Sequence, residues 1–281
     1  MLLSNQLIKN LPMQDYLNDP GIGSGTLNYI SYPYTPADFK ANVTSPYFKG
    51  SPSANLGTFI HSKVLEPATF DDLYIYEPLK IDKRSTAGKE KAAEFAKAAE
   101  GKIVIPFCDR VKIEAAAEAV GAHEELKGIL SQGNAEITGV AYFAKHLTPD
   151  GLRFKTREDW LTDDGYVYDI KTLSEHPTDD NLAKTIQKYA YHFKAVHHME
   201  VLRRCGVDVK GFRWVFITTH LPTCHVVVKS MSLEMEAIGK ALHSQAIGLL
   251  AHCTKTNTWP GYSQTIEPIE LPSWVNKGVE L

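Results

Sequence analysis

The chain has 281 residues, of which 43% are hydrophobic and 22% charged, with a formal net charge of −3. A chain of this length buries a sizeable core without disulfides or structural metal, and no apolar run approaches the roughly 18–20 residues that span a bilayer, so a membrane protein is not expected. The slightly acidic balance gives no whole-molecule attraction for nucleic acid, and any contact with a polyanion must use a local patch.

Taken in chain order, Met1 to Gln6 shows no basic segment followed by an apolar one, so a cytoplasmic location is expected. Residues 33–57 are the stretch richest in Pro, Gly and Ser and read as irregular structure with short helices. Phe59, Ile60, Val64 and Leu65 then fall at helical spacing on one stripe, and Pro67 stops that helix. Residues 85–100, rich in Lys, Glu and Ala, predict a solvated helix, and residues 109–130 a more amphipathic one. From Glu136 the period changes to alternation through Ile137, Val140, Tyr142 and Phe143, then Leu152, Phe154, Trp160 and Leu161, then residues 166–170. Thr148-Pro149-Asp150-Gly151 and Asp163-Asp164-Gly165 punctuate these runs as turns, which predicts a three-stranded meander. A helix over about 181–204, strands over 212–219 and 224–229 joined at His220-Leu221-Pro222-Thr223, and a last long helix over about 232–252 complete the order. The class is α/β (α+β), with a central mixed sheet flanked by helices.

Four cysteines, Cys108, Cys205, Cys224 and Cys253, contain no C-x-x-C pair, so neither a zinc knuckle nor an iron–sulfur cluster is predicted. Eleven histidines include no H-x-x-x-H of the zinc type, because His192 and His197-His198 lack an acidic partner of the H-E-x-x-H kind.

Asp169-Ile170-Lys171 places an acid and an amine two positions apart on a predicted strand, hence on one face. A three-residue loop at 163–165, with Gly in third place, pairs Thr162 with Tyr166 and therefore Asp159 with Asp169. Opposed carboxylates with Cβ atoms roughly 5 Å apart repel each other, and a bound cation relieves that repulsion. Hard oxygen ligands suit Mg²⁺ or Mn²⁺. Exposed positions of an amphipathic sheet give the same letters, and D-x-K is common by chance. In favour of chemistry, Arg153, Lys155, Arg157 and Asp159 alternate along one face, while Trp160, Leu161 and Ile170 argue for a central, covered sheet.

Four stretches, in order, resemble the RecE-type exonucleases (exonuclease VIII-like), relatives of the RecB nuclease domain and of lambda exonuclease in the PD-(D/E)xK superfamily. They are Asp15-Tyr16-x-x-Asp19-Pro20-x-Ile22-x-Ser24, Gly57-Thr58-Phe59-Ile60-His61 with Leu65-Glu66-Pro67, Lys155-x-Arg157-x-Asp159-Trp160 with Asp169-Ile170-Lys171-Thr172, and Trp259-Pro260-Gly261-Tyr262 with Leu271-Pro272-x-Trp274. The resemblance covers nearly the whole chain. It implies a single restriction-endonuclease-like domain over 1–281, in which a helical part (1–135) carries His61, a catalytic sheet and basic helix follow (136–230), and a C-terminal helix and tail close it (231–281).

By the same resemblance His61, Asp159, Asp169 and the Ile170 carbonyl hold Mg²⁺ or Mn²⁺, and Lys171 orients or deprotonates the attacking water and offsets charge on the phosphate. Glu66 either reaches the site or is a surface acid at a helix end. The family's Q-x-x-x-Y pattern fits Gln187 and Tyr191 by letter, whereas its longer form Y-H-x-Q-x-A-x-Y starts at Tyr191-His192 and puts Lys194 and His198 in those places. The second register is preferred because it keeps the distance to Gly206. Together with Arg157 these are the expected DNA-binding residues, on a helix made cationic by Lys184, Lys188, Lys194, Arg203 and Arg204 against Glu200. The implied activity is metal-dependent digestion of double-stranded DNA from its ends, 5′ to 3′ and without ATP. The implied setting is recombination, with a phage-type ring-shaped homo-oligomer (trimer or tetramer) working beside a RecT-type annealing protein. No P-loop is present, in keeping with ATP independence. The alternatives are a structure-selective endonuclease, an iron–sulfur nuclease of the same superfamily, which the scattered cysteines oppose, and a catalytically inactive DNA-binding module.

Overall fold

Strand alternation over residues 134–173 builds the centre of the molecule, and helices from both ends of the chain cover it. The computed structural model describes residues 4–31, 33–44, 52–79, 81–82, 84–145, 148, 151–220 and 223–270. The elements run β1 (Gln6–Ile8), α1 (Met13–Asn18), α2 (Ser24–Leu27) with a 3-10 turn (Asn28–Ile30), α3 (Pro36–Thr44), α4 (Pro52–Leu65), α5 (Pro67–Leu73) and β2 (Tyr74–Tyr76). They continue with α6 (Thr86–Ala98), β3 (Ile103–Ile105), α7 (Phe107–Ala122), α8 (Glu124–Ile129), β4 (Asn134–Phe143), β5 (Leu152–Leu161) and β6 (Tyr166–Leu173). The last are α9 (Asp179–Lys188), α10 (Tyr191–Arg204), β7 (Gly211–Thr218), β8 (Val226–Ser230) and α11 (Leu233–Thr256).

Six strands form one mixed sheet in the order β1-β4-β5-β6-β7-β8, in which only β6 and β7 run parallel; β2 and β3 make a small parallel pair of their own. The predicted meander is therefore its middle, and α9–α10 is the crossover that a parallel β6–β7 pair needs. On one face, Phe59 and Ile60 of α4 and Ile113 of α7 pack with Trp160, Tyr168 and Ile170. On the other, Val196, Met199 and Leu202 of α10 pack with Val167, Trp214 and Phe216. Each such buried side chain contributes roughly 1.5–3 kcal/mol, so α4 is held against β5 and β6 and α10 against β4, β5 and β7.

The predicted hairpin register is observed. Trp160 pairs with Tyr168 and Leu161 with Val167, and Thr162 N–H donates to the Tyr166 carbonyl at 2.9 Å. Gly165 has φ 93°, and a Cβ there would sit 2.2 Å from the Asp208 carbonyl oxygen, so the loop requires glycine.

Several expectations are corrected. The single helix over 181–204 is two, α9 and α10, separated at Ala190, which is left-handed (φ 52°). The helix over 109–130 also divides, at His123, whose extended backbone ends α7 and opens α8. Pro67 does follow the end of α4, but it also starts α5, where a missing N–H costs nothing. Strand β1, pairing with β4 from Gln6 opposite Val140 to Ile8 opposite Thr138, was not anticipated. Pro149 and Asp150 of the first turn, Leu221 and Pro222 of the second connection, and Leu271-Pro272-x-Trp274 lie outside the described residues.

Candidate active site

The sheet opens at Asp159. On the β4 side the register sets Ala135 opposite Trp160 and Ile137 opposite Glu158 and skips the pair between them, where Glu136 is left-handed (φ 55°). On the β6 side pairing ends at Trp160 and Tyr168. Into the gap turns the Asp159 carboxylate, which accepts the Ile170 backbone N–H at 2.6 Å. A side chain thus takes the place of a strand partner and holds β5 and β6 apart where the next rungs would be.

Around it the predicted residues converge. His61, one residue after the fully buried Ile60, sets Nδ1 3.5 Å from Asp159 Oδ2 and Nε2 2.9 Å from the Ile170 carbonyl. Lys171 Nζ lies 2.5 Å from Asp169 Oδ2 and donates to the Ile170 carbonyl at 3.2 Å. The two carboxylates therefore do not face each other bare, since each has a cationic partner. Burial acts to raise the Asp159 pKa, but the His61 ring, Lys171 and the Ile170 N–H outweigh it and hold the group well below the usual carboxylate range. Asp169 goes the other way, raised by burial with the Asp159 charge adding to it against Lys171. For His61 and Lys171 burial pulls down, and the neighbouring carboxylates more than restore the charged form.

A cleft of 1140 Å³ lies over this cluster, lined also by Glu66, Glu136, Arg157 and Tyr191. Glu66 therefore faces the site. Glu136 was not singled out from the sequence; burial raises its pKa, and it is ion-paired with Arg157. Arg157 also donates to the Leu11 carbonyl at 2.8 Å, so it is committed to the protein. Glu158, likewise unanticipated, is buried to 1% exposure and accepts from Thr156 Oγ1 at 2.7 Å and His198 Nδ1 at 2.8 Å.

The break at Ala190 splits the first register between α9 (Gln187) and α10 (Tyr191), whereas Lys194 and His198 of the second both lie on α10. Tyr191, on α10, sits 5.4 Å from Lys171 and 5.7 Å from Lys194, each ammonium over its ring. Lys194 and His198 share a 230 Å³ cavity with Asp169 and Lys171. Burial and the nearby Lys171 charge lower the Lys194 pKa. Gln187, at the end of α9, is exposed and lines an outer groove instead.

As donors, two carboxylates, an imidazole and a carbonyl suit a hard divalent cation. The 2.9 Å from His61 Nε2 to the Ile170 carbonyl matches the spacing of roughly 3 Å between adjacent ligands of an octahedral ion with 2.0–2.1 Å bonds. Among the described residues no three His, Cys, Asp or Glu side chains are yet arranged to hold an ion by themselves. An ion here would replace the His61 proton shared with that carbonyl and draw Asp169 from Lys171.

No protein-family model matches the sequence, and no curated protein does. Among solved structures, the chain is similar to a protein from Eubacterium rectale provisionally named an exonuclease, with TM-score 0.59 and 10% identity over 97% of this chain and 100% of that one. The two share a fold. A phage-related exonuclease from Haemophilus somnus 129PT is matched over 87% of this chain and 100% of its own at 13% identity, but with TM-score 0.32 the likeness bears no weight. Among the described residues no helix is long and apolar enough to cross a membrane.

Proposed function

We propose that this chain is a metal-dependent nuclease that hydrolyses phosphodiester bonds of linear double-stranded DNA from an end, of the RecE exonuclease type. The observation that carries the reading is the opening of the sheet at Asp159, which gathers His61, Asp159, Ile170 and Lys171 on the floor of one cleft, with Asp169 ion-paired to Lys171 in the adjoining cavity. The shared fold with a protein provisionally named an exonuclease agrees with it.

In this mechanism Asp159 stays anionic and His61, Asp169 and the Ile170 carbonyl complete a binding set for Mg²⁺ or Mn²⁺. Such an ion, when bound, supplies a more acidic water and charge stabilisation at the phosphate. Lys171, kept protonated by its carboxylates, offers its ammonium to the phosphate rather than taking a proton from water. Tyr191 walls the site beside it. Digestion 5′ to 3′ without ATP, a ring-shaped homo-oligomer, a cytoplasmic setting and a RecT-type annealing partner belong to the same proposal and rest on the sequence resemblance.

The test incubates the protein with Mg²⁺ and linear duplexes labelled at either the 5′ or the 3′ terminus, beside covalently closed circles. Linear DNA is expected to be degraded while circles survive, with the first label released giving the polarity. Nicking of circles at a comparable rate would replace this reading with an endonuclease.

A further inference from the structure

Beside the catalytic cleft a second groove of 850 Å³ runs between the 3-10 turn region and the α9–α10 elbow. Its wall on one side carries Tyr29 and Tyr34, ring centroids 4.5 Å apart. On the other lies Tyr189, which stacks on Tyr191 behind it at 5.6 Å and 24° across the left-handed Ala190. Lys188 lies over the Tyr189 ring at 5.1 Å, and Lys194 lines the groove and faces Tyr191. Among the described lining residues there is no carboxylate.

Tyr34 and Tyr189 are 39% and 47% exposed, so part of each ring is open to a ligand. Exposed π-faces interleaved with ammonium groups suit bases and phosphates of a single strand, because every base stacks and duplex DNA hides its faces. The groove also leads to the chemistry: Lys194 lines both it and the cavity holding Asp169 and Lys171, and Tyr191 touches Lys171's ammonium.

We propose that this groove binds unpaired nucleotides, stacking bases on Tyr34 and Tyr189 and meeting phosphates with Lys188 and Lys194. The inference rests on the nuclease reading and deepens it, since a strand lying here reaches the catalytic pair already separated from its complement.

The test measures binding of a dye-labelled 12-residue oligothymidylate, and of a blunt duplex of the same length, to the full chain in EDTA by fluorescence anisotropy. Tyr34→Ala and Tyr189→Ala should each weaken single-strand binding on the order of 10-fold, Tyr→Phe at either position should not, and duplex affinity should change less than 2-fold. Absence of single-strand binding by the wild type, unchanged affinity in both Ala variants, loss in Phe equal to that in Ala, or an equal loss for the duplex would each overturn the proposal. Cleavage of linear duplex, followed in parallel with Mg²⁺, separates the two readings. Ring-dependent binding without cleavage sinks the nuclease reading alone, whereas cleavage with ring-independent binding sinks this inference alone.

Discussion

Glu158→Ala strikes a charge buried directly behind the site. Its carboxylate is 1% exposed and is held by Thr156 Oγ1 at 2.7 Å and His198 Nδ1 at 2.8 Å, while His198 Nε2 meets Ser24 Oγ at 3.2 Å. Removing one member of a buried pair leaves the other uncompensated and costs about 3–5 kcal/mol. For a chain of this size each kcal/mol moves Tm by roughly 2–4 °C, so the variant should melt about 6–20 °C lower. Glu158→Gln, which keeps the shape and an acceptor, should lose less. Burial alone would lower the His198 pKa, but the Glu158 charge outweighs it and raises it. Because the folded-state value is raised, the pair's stabilisation is complete below the ordinary imidazole value of about 6.5 and disappears as pH climbs through the higher folded value. Thermal melts from pH 5.5 to 9 should therefore show this falling contribution in the wild type, and a flatter profile in Glu158→Gln. Equal melting temperatures and equal pH profiles for wild type and both variants would refute the argument that a buried charge pair braces the site.

Mg²⁺ or Mn²⁺ should raise the wild-type melting temperature, since a ligand specific to the folded state stabilises it by mass action. Asp169→Asn should abolish both that rise and cleavage while staying folded, because Asp159 still faces Lys171; Lys171→Ala should keep the rise and lose turnover. An equal metal-induced rise in wild type and Asp169→Asn would put the ion elsewhere. Lys194→Ala should weaken duplex binding and reduce the slope of log affinity against log salt by roughly one contact. Greater damage from Gln187→Ala in the same titration would select the other register.

How much of this was readable follows from what each feature depends on. Alternation with a period of two over residues 134–173, and the glycine-ended loop at Gly165, are local, and they set the meander and the hairpin register as far as Trp160 opposite Tyr168. The break at Ala190 has no local signal, because alanine prefers to continue a helix and apolar spacing runs on through it. Strand β1 has three residues, too few to show a pattern, and exists because β4 offers it an edge. Glu158 stands in a charged run, and only its burial sets it apart. The opening of the ladder at Asp159 depends on a left-handed Glu136 one strand away. The tyrosine groove joins residues 29–34 to 187–194, a juxtaposition that only tertiary packing creates.

The basic residues of β5, among them Arg157 expected to bind DNA, have another employment. Arg153 pairs with the Asp19 carboxylate, which also accepts the Gly21 N–H. Lys155 Nζ donates to the carbonyls of Tyr16 and Asp19 at 2.7 Å each, closing the end of α1. Arg157 reaches the Leu11 carbonyl and lies against the Tyr16 ring. Ile22 completes the join, exchanging backbone hydrogen bonds with Arg153 and Lys155 across β5. The opening stretch Asp15-Tyr16-x-x-Asp19-Pro20-x-Ile22 and the basic strand are thus two halves of one latch, which is why they occur together in the sequence. Of the four alternating charges only Asp159 lies beyond the latch, with its carboxylate on the Ile170 N–H. Basic residues on β5 are therefore no measure of phosphate contacts. In the proposed nuclease the salt dependence of DNA binding is expected to come from the elbow of α9 and α10, where Lys188 and Lys194 border the groove, and neutralising Arg153 should cost stability rather than affinity.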